Sequence, residues 1–530
     1  MGWPAVAAVP AAFLAVFFVI PVTTILWEGL VADPSRLGEL VSSGRNRSVI
    51  AFTVWQATAS TLLTLVVALP AAALLARTRG WTRRLLRAAV TVPFVLPTVA
   101  VAGAFDATFV RLGLDHGAVD LRHTVWAILL AHLFFNHAVV ARTVGVYWSG
   151  LDRRVEDQAR VLGAAPWRVF TEITWPRLRP AVAAASVIVF LFSFTSFGII
   201  LVLGGPRRAT IETEIYRHAV TRLDLGAAAS LAALQLLAVV ALVAVANRLE
   251  RVRVGPTQRG ARATVPRPGP LLVGTNLVAM GLVLGLPLGI VVERSLAVGG
   301  GYSLANYRTL ADRVALLPAP ATTALAHSLS FAVLATVCAV VVGTAASAVV
   351  VAGPRRLARP VDLALTVPLG VSAVTVGFGI LVALDTPPLD WRSRWWIIPV
   401  AHALVGVPFV VRSVVPVVRG IDPRVREAAA VLGASPRRVR REVDVPIAAR
   451  ALAVGAAFAA AVSLGEFGAT SFLPRRPDTI TAPLALFRLL STPGDALRGQ
   501  AMALAVVLML VTAAAVLVVE SLGGAEGTSV

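Results

Sequence analysis

The chain has 530 residues, 57% of them hydrophobic and 14% charged, and its mean hydropathy of +0.80 leaves too little polar surface to cover a soluble globule of that length. Its net charge of +20 comes from arginine alone, in short clusters between apolar runs, which is a pattern of membrane topology and not of nucleic-acid binding. A single cysteine, Cys338, excludes an intrachain disulfide and a cysteine-based metal cage.

Apolar runs long enough to cross a hydrocarbon core of about 30 Å predict helices over 3–30, 48–76, 88–110, 124–149, 181–203 and 226–247. The first has no basic segment ahead of it and exceeds a signal-peptide core, so it is read as a retained helix. A polar, aperiodic stretch over 248–268, carrying Arg251, Arg253, Arg259, Arg262 and Arg267 among Gly, Thr and Pro, reads as a cytoplasmic linker. Six more helices follow, over 270–292, 322–352, 361–384, 395–418, 450–473 and 496–520. The expected fold is all-α and polytopic, with about 12 transmembrane helices in two halves. Residues 1–247 and 269–530 form the two transmembrane domains. Arginine-rich loops at Arg77–Arg87, Arg355–Arg359 and Arg424–Arg441 fall on one side if both termini are cytoplasmic, as the positive-inside rule favours.

The halves repeat one another. A shift of 270 aligns Leu151–Pro176 (LDRRVEDQARVLGAAPWRVFTEITWP) with Ile421–Pro446 (IDPRVREAAAVLGASPRRVRREVDVP) at 13 of 26 identical positions, far above what composition gives. The same register pairs His132 with His402, Ser193 with Ser463, Phe197 with Phe467 and Gly198 with Gly468. An even number of spans per half makes this a parallel, pseudo-symmetric repeat about an axis along the membrane normal.

Each copy of the aligned segment reads as two short helices in a cytoplasmic loop. Val155, Ala159 and Leu162, like Val425, Ala429 and Leu432, are spaced to form one apolar stripe. Gly163 and Gly433 follow at the helix end, where positive φ is favoured. Pro166 and Pro436 suit the first turn of the second helix, and Pro176 and Pro446 are expected to end the unit. Such an amphipathic elbow needs a partner surface.

Glu427-Ala428-Ala429, Gly433 and Pro446 resemble the EAA signature of ABC importer permeases. The first copy departs from it, reading Asp157-Gln158-Ala159 ahead of Gly163 and Pro176. The resemblance implies a fused permease whose two elbows dock two ABC ATPase subunits, with ATP-Mg bound on those subunits and cargo delivered by a periplasmic or lipid-anchored solute-binding protein. His132-Leu133-Phe134-Phe135-Asn136, the stretch from Ser193 to Gly205, Thr210-Ile211-Glu212 and Ser463 to Gly468 look like the thiamine and ferric-iron branch of that family, closer to the thiamine side. The chain lacks lysine, hence the usual phosphate-binding loop, so ATP hydrolysis belongs to another polypeptide and this subunit is expected to bind no cofactor and to be no enzyme.

Glu466 is a carboxylate within an apolar span and by that fact a candidate for the transport pathway, together with Ser463, Ser193 and Ser196 at matching positions. A secondary transporter would also show internal repeats and intramembrane charge, yet would have no use for a doubled cytoplasmic elbow.

Overall fold

The computed structural model describes residues 3–117, 119–251, 268–366, 371–473 and 476–523. Among them, ten helices are long and apolar enough to cross a membrane, and eleven if one bent pair counts as a single span. In the first half these are α1 (Trp3–Val31), α2 (Gly44–Arg77), the bent pair α3 (Gly80–Val95) and α4 (Thr98–Arg111), and α5 (Val125–Ser149). The elbow helix α6 (Arg154–Val161) comes next, then α7 (Pro166–Phe194) and two short helices, α8 (Gly198–Leu203) and α9 (Ile211–Tyr216), before α10 (Leu225–Arg251).

The second half repeats this order. It has α11 (Pro270–Leu296), a two-residue hairpin of Ala297–Val298 and Gly301–Tyr302, α12 (Ala321–Ala352), α13 (Arg355–Thr366) and α14 (Ala373–Ala383). These lead to α15 (Ile397–Arg419), the second elbow helix α16 (Pro423–Val431), α17 (Pro436–Gly465), α18 (Ala482–Ser491) and α19 (Asp495–Gly523). Most of the expected linker, residues 252–267, lies outside the described residues.

Four expected spans are broken. The run 88–110 bends by 98° between α3 and α4, because Pro93 and Pro97 flank the break and deny it two backbone donors. The related run 361–384 becomes α13 and α14, with 367–370 outside the described residues, and does not count as a span. The runs 181–203 and 450–473 stop early, at Phe194 and Gly465, and turn before resuming. A hydropathy window averages over such breaks, which is why twelve unbroken helices were expected.

The halves are interlocked. Phe13, Leu14 and Phe18 of α1 belong to a buried cluster with Phe331, Val376 and Val407 of the second half. The Phe17 ring lies 6.3 Å from Trp391 and 6.4 Å from Trp396. Reciprocally, Leu284, Ile290 and Val291 of α11 are buried with Val99 and Phe105 of α4. Each half thus lends its first helix to the other.

Candidate functional site: two elbows and a cavity between the halves

The elbows share one geometry. At the end of α6, Gly163 has φ +87° and Ala164 N–H donates to the Ala159 carbonyl at 2.9 Å, with Gly163 N–H on Arg160 at 3.0 Å. At the end of α16, Gly433 has φ +84°, and Ala434 and Gly433 make the same pair of bonds to Ala429 and Ala430 at 3.0 Å each. This is the Schellman closure that glycine permits without steric cost. It points Val161 and Leu162 (87% exposed each) and Val431 and Leu432 (88% each) into the open. The apolar tip is therefore this adjacent pair; Val155 of the expected stripe is half-buried.

Pro166 and Pro436 open the second elbow helices as expected. Pro176 and Pro446 do not end the unit. Each sits just after a π-helical turn, Phe170–Thr174 or Arg440–Asp444, and the helix runs on into the span. A π turn widens the hydrogen-bond ring where proline lacks its donor, so the helix continues through it. A polar clasp absent from the sequence reading ties each elbow to its span. Thr174 Oγ1 donates to Glu156 at 2.7 Å in one, and Arg426 pairs with Asp444 at 2.9 Å in the other. Both clasps join residues 18 apart, and that shared spacing is the signal that could have found them.

Between the halves lies a cavity of about 310 Å³. The α3–α4 break supplies Phe94 and Thr98, α5 supplies His132 and Phe135, and the turns after α7 and α17 supply Ser196, Phe197, Glu466 and Phe467. Phe197 and Phe467 stack at 5.4 Å across the two halves. Gly198 and Gly468 permit that approach. A Cβ on Gly198 would stand 2.4 Å from Thr98 Oγ1, and one on Gly468 would stand 3.1 Å from Ala373 Cβ. Short helices brace the outer sides alike: Ile211 N–H donates to Thr53 Oγ1 at 3.1 Å, and Ala482 N–H to Ser328 Oγ at 2.8 Å.

The profile of the family described as binding-protein-dependent transport system inner membrane component matches residues 68–253. The molybdenum transport system permease protein of Mycobacterium tuberculosis is 32% identical over 260 residues, covering 47% of this chain and 95% of that one. Thiamine transport system permease proteins match at greater length. That of Brucella abortus is 28% identical over 441 residues (79% of this chain, 78% of the relative), and that of Escherichia coli K12 is 27% identical over 457 residues (83% of each).

The chain belongs to the ABC importer permease family.

The permease is accordingly a multi-pass membrane protein that moves a small solute and does not itself perform catalysis; its family works with an ATPase and a solute-binding protein. The structure brings together the four residues read as pathway candidates, but to different ends. Glu466 is buried in the cavity wall, where its Oε1 accepts from Ala469 N–H at 2.9 Å and its Oε2 from Thr470 N–H at 3.1 Å and Thr470 Oγ1 at 2.9 Å. It holds the turn that ends α17 as well as facing the cavity. Ser463 bonds His402 at 2.8 Å, and Ser193 receives Asn136 Nδ2 at 3.2 Å, so both fasten helices behind the wall. Ser196 lines the cavity.

On the elbows, Glu427 and Ala428 are exposed and Ala159 and Ala429 half-buried, while Asp157 is exposed and pairs with Arg160 at 3.2 Å. Gln56, which donates to the Ser193 carbonyl at 2.7 Å, was not singled out from sequence; a glutamine in an apolar span was its signal.

Proposed function

We propose that this permease imports an aromatic organic cation of the thiamine class, driven by two ATPase subunits seated on its two elbows, with both termini cytoplasmic. The division at 248–268 into two transmembrane domains, and ATP-Mg held by the partners and not by this chain, belong to the same reading. The observation that carries the coupling is the pair of rigid, solvent-exposed apolar tips at Val161-Leu162 and Val431-Leu432, presented twice by the same closure. Four large apolar side chains held in water by a defined turn favour burial against a partner. When the ATPases close, the tips move together and the interlocked halves rock about the central cavity.

The cargo class is supported by the cavity lining. Phenylalanine rings and one carboxylate line it, and no arginine does among the described residues, so a flat cation is favoured over an oxyanion. Ferric iron, the other cargo implied by the sequence resemblance, prefers a shell of oxygen ligands to a phenylalanine-rich wall. A volume of 310 Å³ is at the small end of organic-ligand sites. A larger cavity of about 570 Å³, lined by Asp106, Arg111, Glu293 and the hairpin, opens at the end away from the elbows and is where a delivering protein would sit.

The test is reconstitution with the ATPase and binding protein. Radiolabelled thiamine uptake that requires ATP, and two ATPase chains per permease by mass, are expected. Uptake of molybdate or ferric iron in place of thiamine overturns the cargo, and co-purification of ATPase unchanged by Leu162→Asp with Leu432→Asp overturns the coupling sites.

A further inference from the structure

The duplication put a histidine at the same place in α5 and α15, and the two copies are wired differently. His402 is closed on both sides: Nδ1 is 2.8 Å from Ser463 Oγ, and Nε2 is 2.9 Å from Thr470 Oγ1 and 3.3 Å from Glu466 Oε2. His132 is held on one side only, by Ser60 Oγ at 2.9 Å from Nδ1. Its Nε2 has no hydrogen-bond partner among the described residues, although the side chain is 1% exposed and lines the cavity.

Sequence explains the difference. Positions 466 and 470 are Glu and Thr, whereas their counterparts in the first half, 196 and 200, are Ser and Ile. The second-half histidine has partners at both nitrogens; in the first half positions 196 and 200 supply none to Nε2. A buried imidazole nitrogen without a partner is costly, and polar groups left so in a cavity are those a ligand satisfies.

We propose that His132 is a specificity residue whose Nε2 hydrogen-bonds the heteroaromatic ring of the cargo, while the cation lies among the phenylalanines toward Glu466. This rests on the cargo reading above. With Ser60 donating to Nδ1, Nε2–H is the donor and calls for an sp² ring nitrogen; with the roles reversed, Nε2 accepts from an exocyclic amine. An aminopyrimidine presents both groups side by side, so it answers either tautomer. A solute with a cation but no such ring edge leaves Nε2 unpaired and is disfavoured.

Equilibrium binding of radiolabelled thiamine to the permease–ATPase complex in lipid nanodiscs, without binding protein, tests this directly. Wild type is expected to bind. His132→Phe should weaken binding by about tenfold or more, and His132→Gln, which keeps a polar end, by less than about threefold. Wild type should also discriminate against the analogue with a phenyl ring in place of the aminopyrimidine, which leaves Nε2 unpaired, and His132→Phe should lose that discrimination. If His132→Phe cannot be purified, Ser60→Ala is used, because freeing Nδ1 should blunt the same discrimination. Equal affinity and unchanged discrimination in the variants, with ATP-driven thiamine uptake intact, overturns the role of His132 and leaves the cargo reading standing. No uptake of thiamine by the wild-type reconstituted system overturns the cargo reading itself.

Discussion

Gly433 has open space around the position a Cβ would take, so what a substitution costs there is backbone conformation alone. At φ +84° a non-glycine residue loses about 1–2 kcal/mol, and a β-branched one more. Gly433→Val should therefore abolish most ATP hydrolysis stimulated by loaded binding protein while the permease still inserts, and Gly433→Asn, which tolerates the left-handed region, should keep much of it. Equal activity in all three would show that the turn is not needed for coupling. Glu466 calls for a different expectation. Gln keeps one acceptor oxygen but turns an amide donor toward one of the two backbone N–H groups, so Glu466→Gln should lower stability in detergent by about 1–3 kcal/mol whatever the cargo. Thermal inactivation of the purified protein checks this. That Glu466 faces the cavity was legible, because a carboxylate in an apolar span needs a reason to be there. Its bonds were not legible, since they depend on the helix ending at Gly465, which hydropathy does not see.

At the scale of elements, the two elbow clasps have opposite chemistry at equivalent places, a hydrogen bond from Thr174 to Glu156 and an ion pair of Arg426 with Asp444. The ion pair is partly exposed, so it contributes about 0.2–1 kcal/mol, enough to orient a short helix but not to fold the protein. Asp444→Arg should loosen the second elbow and reduce ATPase co-purification, and Arg426→Asp added to it should restore the pair and most of the binding. Recovery absent in the double variant would mean that the clasp does not position the elbow. The elbows themselves were readable because glycine, proline and helical spacing coincide in two copies. The π turns before Pro176 and Pro446, and the break between α3 and α4, were not, because a proline in sequence does not say whether the chain will end, kink or widen there. His132 and His402 show the same limit: for identical residues in register, positions 64 and 68 residues further on supply partners to His402 and none to His132.

At the scale of the whole molecule, the repeat predicted two pseudo-symmetric halves, while the exchange of α1 and α11 could not be read from it. Apolar faces carry little information about which neighbour they meet, since lipid, one half and the other half are alike to Phe17 until packing is compared. Expression as two fragments, 1–258 and 259–530, gives a direct measure. Together they should co-purify and restore uptake, whereas 1–258 alone, with the aromatic face of α1 lacking Trp391 and Trp396, should be degraded or aggregate. Stable accumulation of the first fragment by itself would show that the exchanged contact is dispensable. The exchange also sets an order in time. Phe17 leaves the ribosome roughly 380 residues before Trp396, which at about 5–20 residues per second is on the order of 20–80 s of synthesis. Over that interval α1 stands in the bilayer with lipid where its partner will be, so the earliest helix made is among the last to reach its final neighbours, and the reading speed of the second half governs how long the nascent permease remains open to the wrong ones.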